Sequence, residues 1–286
     1  MIIEGNRFWL TQKPQVLEDY QNQLCSQEWL QMYTAKEFGF RKWLQTGTPE
    51  QKKVFKRLRL SAYIGLHDLS KEARQAAWLL MLGIDISSQE IAALREFYAS
   101  TVASEKSSPK SKQAENEIII EKDVPRTFSS MKLFPQKPSS GKNALFNILK
   151  VYSIYDPEVG YTQGMSFIAA LVLMVFDSDE ALGWIVFMKL ISQASDWRRF
   201  YGENTPKLFE YTKNLREFIR KDLPPKLNRV LIQHNVVLES LLASPLLTLF
   251  ANLVPLEYAF RVLERFLLGK SLFTLMYQTA NRRSLK

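Results

Sequence analysis

The chain has 286 residues, 46% of them hydrophobic and 23% charged, and a formal net charge of +9. That length and apolar content suffice for one large domain or two small lobes around a true core. Cys25 is the sole cysteine, and His67 and His234 are the only histidines. An internal disulfide and a cysteine-rich metal cluster are therefore excluded, and a histidine zinc site or histidine-based triad is disfavoured.

A single cysteine suits a reducing compartment. The start "MIIEGNRFWL" lacks the basic-then-apolar pattern of a secretory signal, so a cytoplasmic location is expected. Residues 1–143 hold 21 Lys/Arg and 16 Asp/Glu, and residues 144–286 hold 17 and 13. The basic excess is thus spread evenly, without a basic tail or a nucleic-acid motif, and no nucleic-acid partner is expected. An acidic protein or an anionic membrane surface remains compatible with it.

In chain order, "TPEQ" reads as an N-cap at Thr48, proline at the first helical position and Gln51 closing a capping box. "KKVFKRLR", Lys52 to Arg59, is a basic helix, either a solvated face or one attracted to an anionic membrane or to an acidic patch on a partner. "ARQAAW" sets Arg74 and Trp78 four apart on one helix face, the spacing of an arginine packed over an indole. "SSQE" offers Ser87 and Glu90 as a second capping box. Ser100 to Glu117, with five serines and little apolar bulk, reads as a flexible loop.

"IIEKDVPRTF" spaces Ile120, Asp123 and Arg126 by threes, with Pro125 expected to turn Val124 out of the helix and expose Arg126 at a bend. Read alone, it is a structural Asp–Arg contact at a helix end. In "DPEVGYTQGMSF", Asp156 can cap a turn, while Gly160 and Gly164 allow tight geometry around Tyr161 and Gln163. The next run, "MSFIAALVLMVF", has 12 residues and ends at "DSDE". It is shorter than the roughly 18–20 apolar residues of a bilayer span and fits a buried helix. "TPKLFEYTKNLREFIRKDL" begins at Thr205 and Pro206 and repeats Leu208, Tyr211, Leu215, Phe218 and Ile219 at helical spacing; Pro255 opens a further helix with a Leu256, Phe260, Leu263, Leu267 stripe and Gly269 as its cap. No period-two run stands out, so the chain is expected to be all-α with about a dozen helices, residues 1–45 forming a helical extension and 46–286 the main domain.

Taken together, "RxxxW", "IxxDxxR" and "YxQG", in this order, resemble the signature of the TBC-domain family of GTPase-activating proteins for Rab-type GTPases. The likeness runs from about residue 60 to about residue 270, through "NALFNILKVYSIYDPEVGYTQGMSFIAALVLMVF" and "LLTLFANLVPLEYAFRVLERFLLGK". It implies a two-lobed all-α fold, a Rab-type small GTPase in its GTP-bound state as partner, Arg126 as an arginine finger and Gln163 as a glutamine finger. Asp123, Tyr161, Gly164, Arg74, Trp78 and Ile120 would be supporting residues. GTP and Mg²⁺ would arrive with the partner, leaving no cofactor of the chain's own.

Departures from the family pattern fall outside the finger motifs. They are "GLH" at Gly65 to His67 in place of a glycine-aliphatic-proline entry, "SPLLTLF" without its tryptophan, and "VLERF" in place of a tryptophan-aspartate pair. The sequence given ends at Lys286, where relatives commonly continue with further helices, so a shortened second lobe is expected. The rival to catalysis is a scaffold of the same fold that binds a GTPase or a complex without accelerating hydrolysis. Retention of both Arg126 and Gln163 favours catalysis, since a scaffold has no physical need of either.

Overall fold

The structure, a computed structural model, describes residues 69–104, 112–130, 139–177, 179–193, 197–202, 205–222 and 225–267, together with Pro49, Leu66 and Phe134. The expectations for residues 1–45, the Thr48 and Gln51 cap, Lys52 to Arg59 and Gly269 lie outside the described residues, as do Gly65 and His67 of "GLH". Among the described residues there are eleven α-helices and no strand. None of these helices is long and apolar enough to cross a membrane.

The chain divides into two units, residues 1–85 and 86–286. The first contains α1, Lys71–Leu82. Ser70 caps it by accepting from the Ala73 N–H at 3.2 Å, and Gly83 ends it in the left-handed region, φ 64°, where glycine meets no Cβ penalty.

The second unit holds α2 (Gln89–Ala103), α3 (Lys112–Asp123), α4 (Ser140–Tyr155), α5 (Met165–Phe176), α6 (Glu180–Gln193), α7 (Arg198–Tyr201), α8 (Pro206–Asp222), α9 (Pro225–Gln233), α10 (Leu238–Leu247) and α11 (Leu256–Leu267). The run from Met165 to Phe176 is α5, residue for residue, and only Phe167 and Met174 within it are not buried. Each fully buried aliphatic side chain there contributes about 1.5–3 kcal/mol. Helices α4 and α6 pack on α5, α2 packs on α6, and α3 packs on α4. Trp184 of α6, fully buried, meets Phe97 and Tyr98 of α2 and Tyr155 of α4 with ring centroids 5.5–5.8 Å apart. A second group forms around α8, against which α7, α9 and α10 pack.

The cap of α2 is Ser88, which accepts from the Ile91 N–H at 3.3 Å, and not Ser87. That shift puts Glu90 out of the capping-box position, and it pairs instead with Lys189 of α6 at 2.5 Å. Residues 100–103 and 112–117, read from composition as loop, are helical, the ends of α2 and α3. Burial of Thr101, Asn116 and Glu117 explains why polar composition misled there. In the "SPLLTLF" stretch, Pro245 lies inside α10 and leaves the Leu241 carbonyl without an N–H donor from that position. Leu249 and Phe250 then turn with φ of 48° and 64°.

Candidate functional site

Helix α3 points its buried side, Ile120 and Asp123, into the protein and leads directly to Arg126. Contrary to the expected bend at Val124, residues Val124–Arg126 continue as one 3₁₀ turn. The fixed φ of Pro125 is compatible with that turn, and the Thr127 N–H closes it on the Asp123 and Val124 carbonyls at 3.1 and 3.3 Å. The chain leaves the helix only at Thr127, and Phe128 has φ 44°. Thr127 is tied down from its side chain, whose hydroxyl donates to the Asp123 carbonyl at 2.9 Å and shares a hydrogen bond of 2.8 Å with the Ser166 hydroxyl of α5. Phe128 and Phe167 meet edge to face, centroids 5.2 Å apart.

Arg126 is held through Nε and Nη2 and open at Nη1. Its Nε donates to the Lys122 carbonyl at 3.0 Å and its Nη2 donates to Asp123 Oδ1, while 66% of the side chain is exposed. Nη1 has no partner among the described residues. Asp123 is buried, and its second oxygen, Oδ2, accepts from the Tyr161 hydroxyl at 2.8 Å. Burial, then the Asp123 charge, pushes the Tyr161 phenol well above its ordinary range, so it stays a donor at all working pH values.

Tyr161 lies two residues before Gln163. The loop that carries both is built on Asp156, which ends α4 and whose carbonyl accepts the Gly160 N–H at 2.8 Å. Gly160 has φ 64°, and a Cβ there would lie 3.0 Å from the Asn116 side chain. Asn116, buried on α3, accepts the Tyr161 N–H at 3.3 Å. Gly164 has φ 107° and precedes the first residue of α5, so the loop turns through a conformation that other residues rarely adopt. Gln163 is exposed and makes no hydrogen bond among the described residues.

Of the residues singled out by sequence, Asp123, Arg126 and Tyr161 form one bonded cluster, with Ile120 buried a turn before Asp123 and Gly164 at the start of α5. Arg74 and Trp78 belong to the first unit, where the guanidinium carbon lies 5.9 Å from the indole centroid, the packing pair that their spacing suggests. No sequence motif marks Asn116, Thr127 or Ser166, which the structure adds to this site. Thr127, next to Arg126 in "RTF", carried the only local signal.

The family model of the Rab-GTPase-TBC domain matches residues 71–281. Similar curated proteins include GTPase-activating protein GYP5 of Eremothecium gossypii, 35% identical over 156 residues, covering 53% of this chain and 17% of that protein. Rab GTPase-activating protein tbc-11 of Caenorhabditis elegans is 31% identical over 153 residues, covering 53% and 16%. The matched part is thus less than a fifth of these relatives' length. Among solved structures, the Ypt/Rab-GAP domain of Gyp1p has a TM-score of 0.64 at 19% identity, covering 80% of this chain and 79% of that one. The Chlamydomonas flagellar RabGAP TBC domain has a TM-score of 0.60 at 16% identity, covering 96% and 85%. Both share the fold of this chain. With well over half of its residues inside the matched region, the chain belongs to the Rab-GTPase-TBC domain family.

Proposed function

We propose that the protein accelerates GTP hydrolysis by a Rab-type small GTPase in its GTP-bound state, with Arg126 as arginine finger and Gln163 as glutamine finger. One observation carries the reading: a single buried carboxylate, Asp123, grips the exposed Arg126 with one oxygen and the Tyr161 of the Gln163 loop with the other. Two segments distant in sequence are thereby joined, and each ends in an exposed polar group. The names of the relatives, GTPase-activating proteins for Rab GTPases among them, support the same reading.

Hydrolysis of the γ-phosphate spreads negative charge over oxygens that need positioned donors, while the attacking water must be oriented. Arg126 offers a planar fork with Nη1 unengaged by the described residues, and Gln163 offers a carbonyl and an amide to a water. Neither role needs a shifted pKa. Nucleotide and Mg²⁺ come with the partner.

The test is phosphate release from a panel of purified, GTP-loaded Rab-type proteins. At least one should be accelerated, and Arg126→Ala should lower that acceleration by about 10³-fold or more. Arg126→Lys should fall nearly as far, because a lysine lacks the fork. A lysine variant that keeps most of the rate would replace the finger by a diffuse charge effect. No acceleration of any partner, with binding retained, would leave the scaffold reading.

A further inference from the structure

Helix α7 has only four residues, yet it is bonded to the Gln163 loop along the length of that loop. Arg198 Nε and Nη2 donate to Asp156 Oδ2 and Oδ1, both at 2.7 Å, and Nη2 also donates to Glu158 Oε2 at 2.6 Å. The Thr162 hydroxyl, one residue before Gln163, donates to the Tyr201 carbonyl at 2.9 Å. The Tyr201 hydroxyl in turn donates to the Leu247 carbonyl at the end of α10, at 2.6 Å. Leu247 and Thr248 are the residues that a Cβ on Gly164, one residue after Gln163, would meet at 3.2–3.4 Å.

The bracket is itself anchored. Trp197, just ahead of α7, sits 4.8 Å from the Phe266 ring of α11, Phe200 sits 5.0 Å from Tyr211 of α8, and Trp197, Phe200 and Tyr201 are all buried. Burial alone would raise the Asp156 carboxyl, but the hydrogen bonds and charge of Arg198 prevail and hold it below its usual range. The anchor is therefore an ion pair at neutral pH. A bidentate guanidinium–carboxylate pair fixes an angle as well as a distance. Gln163 needs that help, since its own side chain is bonded to nothing among the described residues.

We propose that Arg198 and Tyr201 of α7 are positioning residues for Gln163, clamping the Asp156 to Gly164 loop so that the glutamine meets the attacking water at a fixed angle. This rests on the reading of Gln163 as a finger. A misplacement of about 1 Å in such a group costs about 10²-fold in rate.

Arg198→Met and Thr162→Val, each alone and each combined with Gln163→Ala, are compared by single-turnover phosphate release from a GTP-loaded Rab-type protein. Each alone should lower the rate by about tenfold to a hundredfold, and neither should lower it further once Gln163 is alanine. Equal losses in both backgrounds would mark α7 as a purely structural support and overturn the proposal. Thr162→Val is nearly isosteric and keeps the test open if Arg198→Met folds poorly. Amide hydrogen exchange of Gly160 to Met165 should speed up in both variants without any GTPase present. Unchanged exchange would overturn the clamp. If the unaltered protein accelerates no GTPase, the proposed function fails, and exchange still decides whether α7 holds the loop.

Discussion

Arg126 can donate five hydrogen bonds, and the protein takes two of its groups, Nε on Lys122 and Nη2 on Asp123. The division fits the proposed finger, because Nε and Nη2 aim the guanidinium while Nη1 is engaged by none of the described residues. Asp123 does the aiming for two residues at once, and replacing it by asparagine tests how far charge matters. In Asp123→Asn the amide oxygen can still accept from Arg126, and the amide N–H₂ can donate to a Tyr161 hydroxyl that rotates to accept. Loss of charge assistance is worth about 1–2 kcal/mol, so the GTPase-activating rate should fall about tenfold with affinity for the GTP-bound partner largely kept. The check is turnover against binding, measured on the same preparation. A protein that no longer folds would instead make Asp123 chiefly a residue of the core.

At the scale of elements, Asp179 ties the start of α6 to Arg95 of α2. Its carboxylate accepts both Arg95 nitrogens, Nη1 at 2.8 Å and Nη2 at 2.6 Å, and also the Leu182 N–H at 2.9 Å, capping the start of α6. Burial alone would raise the Asp179 carboxyl, yet the Arg95 hydrogen bond, the Leu182 N–H and the Arg95 charge together hold it below its usual range. A carboxyl whose folded pKa lies below its unfolded value of about 3.9 adds stability above that value and loses it as pH falls through the folded one. Asp179→Asn keeps a cap but loses the charge pair. Both partners are about a third exposed, so its cost at pH 7 should stay under about 1 kcal/mol. Denaturant midpoints should show that difference constant from pH 7 to about pH 4 and shrinking below it. A difference that grows on acidification would contradict the assignment.

Across the whole molecule, what the sequence disclosed was whatever a single stretch determines. The bounds of α5 followed from a run that is apolar except for Ser166, and Pro206 and Pro255 marked the starts of α8 and α11 because proline fits the opening of a helix. Ser87 and Ser88 are chemically equal as caps, and only the folded geometry chooses the second. Pro125 suggested a bend because a proline usually ends a helix, but a 3₁₀ turn accommodates it. The pairing of Asp123 with Arg126 was legible at short spacing. Asn116 on Tyr161 and Arg198 on Asp156 join residues 45 and 42 positions apart, which no local pattern encodes.

The central claim is that two groups of this protein, and not one, act on the partner's nucleotide. If Gln163 orients the water in trans, the partner's own catalytic glutamine becomes dispensable in the complex. Single-turnover phosphate release is therefore measured for a normal partner and for one with that glutamine changed to leucine, each with the unaltered protein and with Gln163→Ala. The account predicts that the unaltered protein accelerates both partners, and that Gln163→Ala loses the leucine partner while keeping affinity for the GTP-bound form, as expected for an interaction made mainly in the transition state. Strong acceleration of the normal partner with none of the leucine partner, by the unaltered protein, would contradict it.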